Sequence, residues 1–319
     1  MKQNSFLILG ATGSFGAAIT RELLLMNQLV YAVSRKTLTS LPTCPKSENL
    51  KFTKGDILED IMVFQTTCHY IVFAVNVPYH LWEATMEKAL SNCILLAKQW
   101  NAAIIFPGNV YSLQPIYNLP LNEDHILTPI TRKGKLRVKM ENMLKESKLN
   151  VLLIRANDYY GPTAHNGMLE MIFHNPLKKK KINCFGKNII HEWVYLPDLA
   201  KATVLLLEVL DFTIPYQVVH FQGTITLKRN EFMNKVAMHA AQLNNSVPVK
   251  ISPIPWFILS LYSLIDPVTK ELLEMKYLFN NTLLLDNTKL KQLLPEFKLT
   301  DVDEAIHNTL EAITRIEEK

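Results

Sequence analysis

Cysteine is scarce in this chain of 319 residues, which has only four. They are Cys44, Cys68, Cys93 and Cys184. No two of them form a C-x-x-C pair, and no cysteine–histidine group has the spacing of a zinc site, so the sequence predicts no metal centre. Four cysteines in so long a chain do not build a disulfide framework, and they favour a reducing, cytoplasmic location.

Long apolar runs and strong charge are missing as well. The longest late apolar run, 254–265, contains Pro255 and is too short to cross a bilayer, so we expect no integral membrane segment. For the overlapping segment 253–264, core packing, a homodimer face and a membrane-surface contact all remain open. The formal net charge of +5 suits an anionic small molecule and is too weak to indicate nucleic-acid binding.

What the chain does contain is a regular alternation of strands and helices. Apolar runs predict strands at 6–9, 30–33, 50–53, 70–75, 102–106 and 151–154. Helical spacing predicts helices at 17–26, 81–99 and 132–147. This order predicts an α/β fold, with a Rossmann-type doubly wound parallel sheet. We expect a dinucleotide-binding domain over residues 1–160. A smaller, interleaved C-terminal substrate lobe over 161–319 is expected to return partly to that domain.

A glycine-rich turn follows the first predicted strand and precedes the first predicted helix. It reads Gly10, Ala11, Thr12, Gly13, Ser14, Phe15, Gly16. In this context Gly10 permits the tight turn, Gly13 lets the backbone approach a pyrophosphate, and Gly16 lets the helix pack closely on the strand. The helix N-terminus then offers N–H groups and a positive dipole end to phosphates. We therefore predict a dinucleotide site on residues 10–16.

The end of the second strand distinguishes between two cofactors. An acid there would bind the ribose hydroxyls of NAD(H), but this chain has Ser34, Arg35 and Lys36. A guanidinium group directs two donors onto a 2′-phosphate, so Arg35 favours NADP(H) over the alternative, NAD(H). If these residues are only a solvated loop, that preference has no basis.

Further cofactor contacts are predicted after the third and fourth strands. Asp56 and Ile57 are placed for the adenine edge, and Asp56 also suits a turn cap. Ala74 and Asn76 are placed near the cofactor ribose. Tyr79 and Trp82 follow as walls of an apolar pocket.

Several ordered motifs resemble the short-chain dehydrogenase/reductase superfamily, on the extended side that includes nucleotide-sugar epimerases and dehydratases. The matching segments are 10–16, 55–57, 109–111, 155–162 and 191–198. The resemblance covers nearly the whole chain and implies a nicotinamide cofactor. It places Asn109, Asp158, Tyr159 and His191 beside a small-molecule substrate. A turn cap for Asp158 and a structural role for His191 are the alternatives.

The catalytic motif departs from that family. Pro107 stands where extended members carry a serine, and Lys133 and Arg137 stand where they carry a tyrosine and a lysine. Lys133, Arg137 and Glu141 instead resemble reductases of the isoflavone-reductase type, and residues four apart share a helical face. The resemblance implies that Lys133 is the general acid/base and that Arg137 holds ribose or phosphate oxygens. An exposed helix with an Arg137–Glu141 ion pair is the alternative, and Tyr111 is a second candidate proton donor or a packing residue.

Three functions follow from these patterns. The first is an NADP(H)-dependent oxidoreductase that reduces a small carbonyl or enone. The second is a non-catalytic NADP(H)-binding redox sensor, which the missing serine and tyrosine favour. The third is a sugar-nucleotide epimerase or dehydratase with altered acid/base residues, which the chain-long resemblance favours.

Overall fold

Seven parallel strands form the central sheet of the computed structural model, which describes residues 3–59, 61–115, 120–164, 170–224 and 227–317. The strands are β1 Ser5–Leu9, β2 Leu29–Ser34, β3 Leu50–Lys54, β4 Tyr70–Phe73, β5 Ala103–Gly108, β6 Val151–Ala156 and β10 Tyr216–Phe221. Their order across the sheet is β3-β2-β1-β4-β5-β6-β10. The predicted Rossmann-type α/β fold is confirmed.

Helices cover both faces of this sheet. They are α1 Ser14–Leu25, α2 Trp82–Trp100, α3 Arg132–Glu146, α4 Asn175–Lys179, α5 Leu196–Val209, α6 Arg229–Leu243, α7 Trp256–Tyr262, α8 Pro267–Glu274, α9 Lys276–Asn280, α10 Thr288–Leu293 and α11 Val302–Glu317. The apolar sides of α1 and α5 pack into one core layer, and those of α2 and α3 into the layer on the opposite face. Every residue of β1 and β6 is buried, which explains why both strands are apolar apart from Ser5 and Arg155.

The strand order reverses between β1 and β4. From β1 the chain adds β2 and β3 on one side, and then returns to place β4 on the other side of β1. In a sheet of this type, ligands bind outside the carboxyl ends of the strands at that reversal. The turn after β1 and the segment after β4 therefore border the expected crevice.

The chain after residue 160 contributes to the main sheet and also builds smaller structures. Strand β10 pairs with β6 in parallel. Two small sheets pair β7 Tyr159–Tyr160 with β9 Val194–Tyr195, and β8 Lys181–Cys184 with β11 Lys250–Pro253. The lysine run 178–181, predicted as a loop, spans the end of α4 and the start of β8. The predicted domain division at residue 160 stays a prediction.

None of the helices in the described ranges is long and apolar enough to cross a membrane.

Candidate nucleotide-binding and active site

The glycine turn after β1 is sterically constrained at two positions. Gly10 has φ +84°, and a Cβ atom there would lie 2.5 Å from the carbonyl oxygen of Ala74. A Cβ on Gly16 would overlap the carbonyl oxygen of Gly10. Both positions therefore exclude side chains, because the turn, β4 and the first turn of α1 are in direct backbone contact.

Helix α1 begins directly at this turn. Gly13 is its N-cap residue, so the backbone at Ser14, Phe15 and Gly16 forms the first turn of the helix. Thr12 precedes the N-cap and is exposed. The first N–H groups of a helix have no carbonyl partner within it and carry the positive end of its dipole. The cradle thus fits a pyrophosphate without a side chain in its path.

The other predicted cofactor residues lie at the same edge of the sheet. Arg35 and Lys36 are exposed just beyond β2, and the Ser34 hydroxyl accepts a hydrogen bond from the Lys36 N–H at 3.2 Å. Asp56 accepts a hydrogen bond from the Leu58 N–H at 2.9 Å, as a turn cap does. Asn76 is exposed after β4, and Ile57 is buried. Their contacts with a cofactor stay predictions.

Tyr79 and Tyr111 form a hydrogen-bonded pair at the carboxyl ends of β4 and β5. Their hydroxyl oxygens are 2.9 Å apart. The side chain of Asn109 accepts a hydrogen bond from the Tyr111 N–H at 3.1 Å and so fixes the short 3-10 turn that carries this tyrosine. The Trp82 ring lies edge-on to Tyr79, 4.9 Å between centroids. Burial raises the pKa of both phenols, which keeps them in the proton-donating form.

Arg137 points inward beside this pair. Its guanidinium carbon lies 4.7 Å from the centroid of the Trp82 ring and 5.6 Å from that of Phe106. Within the described part of the chain its buried Nε has no hydrogen-bond partner. Burial lowers the pKa of Arg137, although arginine keeps its charge in proteins. A cation placed in this way suits an oxygen-rich ligand that would complete its hydrogen bonds.

Glu141, one turn further along α3, is paired elsewhere. Its carboxylate lies 2.6 Å from the guanidinium of Arg155, and both side chains are buried. Arg155 also donates to Nε2 of His220 at 2.9 Å, while Nδ1 of His220 donates to the Leu121 carbonyl oxygen at 2.9 Å. Burial and the neighbouring Arg155 lower the pKa of His220 to about 3, so this imidazole is neutral. Glu141 therefore pairs with Arg155 of β6, which in turn contacts His220 of β10.

Lys133 is held by carboxylates from a distant helix. Its side chain is buried, and its ammonium group contacts Glu271 and lies 2.5 Å from Glu274, both on α8. The Lys133 N–H also donates to Glu274 at 3.2 Å. The Lys133 nitrogen lies 5.4 Å from the centroid of the Tyr79 ring, so this ion pair borders the tyrosine pair. A proton-transfer role for Lys133 stays a prediction.

Asp158 and His191 meet across the crevice. The Nε2 atom of His191 lies 2.9 Å from the Asp158 carboxylate. The Asp158 charge contributes to the raised pKa of Tyr79, Tyr111 and Tyr159, which places it close to the tyrosine pair. The structure therefore brings together residues that follow β4, β5 and β6. Whether they bind a substrate stays a prediction.

Two features of the site have no signal in the sequence. Tyr79 was expected only as a pocket wall, because nothing in its local pattern indicates a partner 32 residues away. Glu271 and Glu274 lie 138 and 141 residues from Lys133 and are on a helix with ordinary surface charges. Only the tertiary arrangement of α8 over the N-terminus of α3 reveals this pairing.

No protein-family model and no curated protein matches this chain. Solved structures do match it over nearly its whole length.

The WbmH enzyme of Bordetella bronchiseptica, in complex with NAD⁺, is 19% identical, covers 98% of each chain and has a TM-score of 0.76. A UDP-glucose 4-epimerase from Thermotoga maritima, with UDP-glucose, is 16% identical over 98% of this chain and 99% of its own, with a TM-score of 0.74. The dTDP-glucose 4,6-dehydratase of Bacillus anthracis, with NAD, is 14% identical over 99% of this chain and 98% of its own, with a TM-score of 0.76. At these identities the likeness establishes the shared Rossmann-type fold.

Proposed function

We propose that this chain binds a nicotinamide dinucleotide along residues 10–16 and acts as an oxidoreductase at the adjoining tyrosine pair. The observation that carries this proposal is the convergence of Tyr79, Tyr111, Arg137 and Asp158 at the same sheet edge as the glycine turn. The pKa values of Tyr79, Tyr111 and Arg137 are shifted by burial, and such groups clustered in a crevice are typical of functional sites. When bound, the cofactor supplies or accepts a hydride.

Each side chain then has a role that its surroundings support. Tyr111 donates the proton, and Tyr79 orients it through the 2.9 Å hydrogen bond. Arg137 would hold ribose or phosphate oxygens, because its Nε is buried without a partner among the described residues. Asp158 and His191 orient the substrate as a pair. Lys133 is the alternative donor, and it would have to leave Glu271 and Glu274 to act.

The cofactor preference rests on the end of β2. Arg35 is exposed there, and residues 35–47 of the sequence contain no acid, which supports NADP(H). The WbmH and dTDP-glucose 4,6-dehydratase structures were both determined with NAD bound, so NAD(H) is the alternative cofactor. Direct titration of both cofactors tests this preference.

Two substrate classes follow. Tyr111 as a proton donor supports reduction of a small carbonyl or enone. The nearly full-length matches to a UDP-glucose 4-epimerase and a dTDP-glucose 4,6-dehydratase favour, as a second candidate, epimerase or dehydratase chemistry on a sugar nucleotide.

Incubating the protein with NADPH or NADH and a library of carbonyls, and separately with NAD⁺ and sugar nucleotides, distinguishes the two classes. Cofactor consumption supports reduction, and a changed sugar without net cofactor consumption supports epimerisation or dehydration. Cofactor binding with no turnover in either set would favour the redox sensor.

A further inference from the structure

An exposed apolar surface surrounds helix α7 and the loop that follows it. Leu264 and Ile265 are 81% and 80% exposed, and Phe257 and Leu261 are 66% and 65% exposed. Val268, at the start of α8, continues this surface at 62%. We call these five residues the α7 surface. Large apolar side chains this exposed, and this close together in the chain, indicate an interaction site.

Two segments of the chain, one of which leads into the α7 surface, contain no acidic residue; Asp266 lies within the surface, between Ile265 and Val268. None occurs between Glu231 and Asp266, and none between Met171 and His191. The second of these segments has five lysines, at 178–181 and 187. Both segments therefore carry only positively charged side chains.

Strand pairing brings these two segments together. Strands β8 and β11 are parallel, with Lys181 opposite Lys250, and β11 leads within three residues to α7. Lys179, Lys181 and Lys250 are exposed at the start of this small sheet. Lysines from both segments therefore meet at the start of this small sheet, and its second strand leads into α7.

Cations also follow α7 in the chain. Lys276 is exposed, and its ammonium nitrogen lies 5.3 Å from the centroid of the Trp256 ring at the start of α7. Lys270 is exposed on α8. Asp266, the acid nearest to Ile265, caps α8 by accepting the Thr269 N–H at 2.6 Å. Glu271 and Glu274 are paired with Lys133.

We propose that the α7 surface docks onto an anionic lipid bilayer, with Leu264 and Ile265 inserted and the surrounding lysines on the headgroups. A short apolar helix with flanking lysines and a partly buried tryptophan has the composition of a segment that lies in the membrane interface. Anionic headgroups supply the negative charge that the protein lacks here, and each lysine near such a surface strengthens the attraction.

A second copy of the chain is a poorer occupant of this surface. A twofold contact places the same surface on both sides of the interface. Lys250, Lys270 and Lys276 would then share one interface with the same three lysines of the other copy, and this accumulation of like charge disfavours association. The charge distribution therefore favours a partner that is negative and apolar at once.

Vesicle sedimentation with the full chain tests the proposal. We expect binding to vesicles containing about a third phosphatidylserine to be on the order of tenfold tighter than to pure phosphatidylcholine, and to weaken as salt is raised. Leu264→Ser combined with Ile265→Ser should lower binding by on the order of tenfold or more, because the inserted apolar area is lost. Both residues are exposed, so the fold should tolerate the change, which the melting temperature verifies.

Two matched variants separate location from composition. Leu25→Ser with Ile214→Ser removes two exposed apolar residues, at the end of α1 and just before β10, and should leave binding unchanged. Lys179→Glu with Lys181→Glu should weaken binding, whereas Lys51→Glu with Lys88→Glu, on β3 and α2, should not.

Absence of vesicle binding would overturn the proposal, as would binding that Leu264→Ser with Ile265→Ser leaves unchanged. Concentration-dependent dimerisation that this variant abolishes, without any vesicle binding, would identify a second copy as the occupant.

Discussion

The hydroxyl groups of Tyr79 and Tyr111 lie 2.9 Å apart and share one hydrogen bond. Two neutral phenols have two O–H groups, so one remains to be donated to a ligand. Burial, the negative charge of Asp158 and the proximity of the other phenol raise the pKa of Tyr111 well above its ordinary value. Such a group stays protonated at neutral pH, and although the raised pKa makes it a weaker acid, it can still give its proton to a strongly basic oxygen in the reductive direction.

Tyr111→Phe removes that donor while keeping the ring against Trp82. We expect turnover in the reductive direction to fall by roughly 10²–10⁴-fold, the usual effect of losing a general acid. Tyr79→Phe should cost less, because it removes the partner of the donor and not the donor itself. Steady-state rates for both variants, alongside cofactor titrations that should be unchanged, check this ranking. A larger loss for Tyr79→Phe would reverse the two roles.

Much of the fold and part of the site could be predicted from the sequence. Helix α3 was predicted over 132–147 and is observed over Arg132–Glu146, because its apolar spacing matches the layer it covers. The same spacing placed Lys133, Arg137 and Glu141 on one face, and all three point inward. Their partners could not be predicted. Glu271 and Arg155 reach α3 from a distant helix and from β6, and neither carries a local pattern that specifies this contact.

The glycine turn offers a paired test. Gly13→Val should abolish dinucleotide binding while leaving the fold largely intact, because the branched side chain would occupy the path of the pyrophosphate. Its Cβ would lie 3.2 Å from the Gly10 carbonyl oxygen, a tight contact that small shifts accommodate.

Gly16→Ala is the comparison variant, and its Cβ would overlap the Gly10 backbone. It should lower the melting temperature more than Gly13→Val does. Calorimetric titration and thermal unfolding give the two readouts, and binding retained by Gly13→Val would exclude residues 10–16 as the site.

Arg35 determines the expected cofactor preference. We expect NADPH to bind more tightly than NADH, and Arg35→Ala to remove most of the difference. One charge-assisted phosphate contact is worth roughly 1.5–3 kcal/mol, or about tenfold or more in affinity. Lys36→Ala, the exposed neighbour, is the matched control. Equal affinities of the unmodified protein for the two cofactors would contradict this prediction.

Glu192 should make stability depend on pH. Burial raises its pKa from 4.5 to about 8, although the Leu285 N–H and the Asn157 amide donate to it. Between these two values the unfolded chain releases the proton and the folded chain keeps it, so unfolding becomes more favourable as pH rises. One proton corresponds to a change in the free energy of unfolding of up to about 1.4 kcal/mol per pH unit.

Glu192→Gln should lose less stability between pH 5 and about 8 than the unmodified protein does. Chemical denaturation at several pH values measures this difference. A slope unchanged by the substitution would show that Glu192 is ionised in the folded protein.

Lys133 has two candidate roles, and its carboxylate partners allow them to be separated. Lys133→Met removes the buried cation between Glu271 and Glu274 and leaves them only the exposed Arg132, whose guanidinium lies 3.3 and 3.4 Å from their carboxylates. We expect this loss to lower stability, because two neighbouring carboxylates then share one solvent-screened cation. Lys133→Met combined with Glu271→Gln and Glu274→Gln removes the repulsion between the two carboxylates and should restore most of the lost stability. If Lys133 only anchors α8, turnover recovers with stability in this triple variant. If Lys133 transfers the proton, turnover stays roughly 10²–10⁴-fold down in both variants.

We expect turnover to recover in the triple variant, because the ammonium group is directed at the two carboxylates and Tyr111 is positioned to donate. Denaturation and steady-state kinetics on the same preparations decide between the roles, and turnover still lost at restored stability would move the proton transfer from Tyr111 to Lys133.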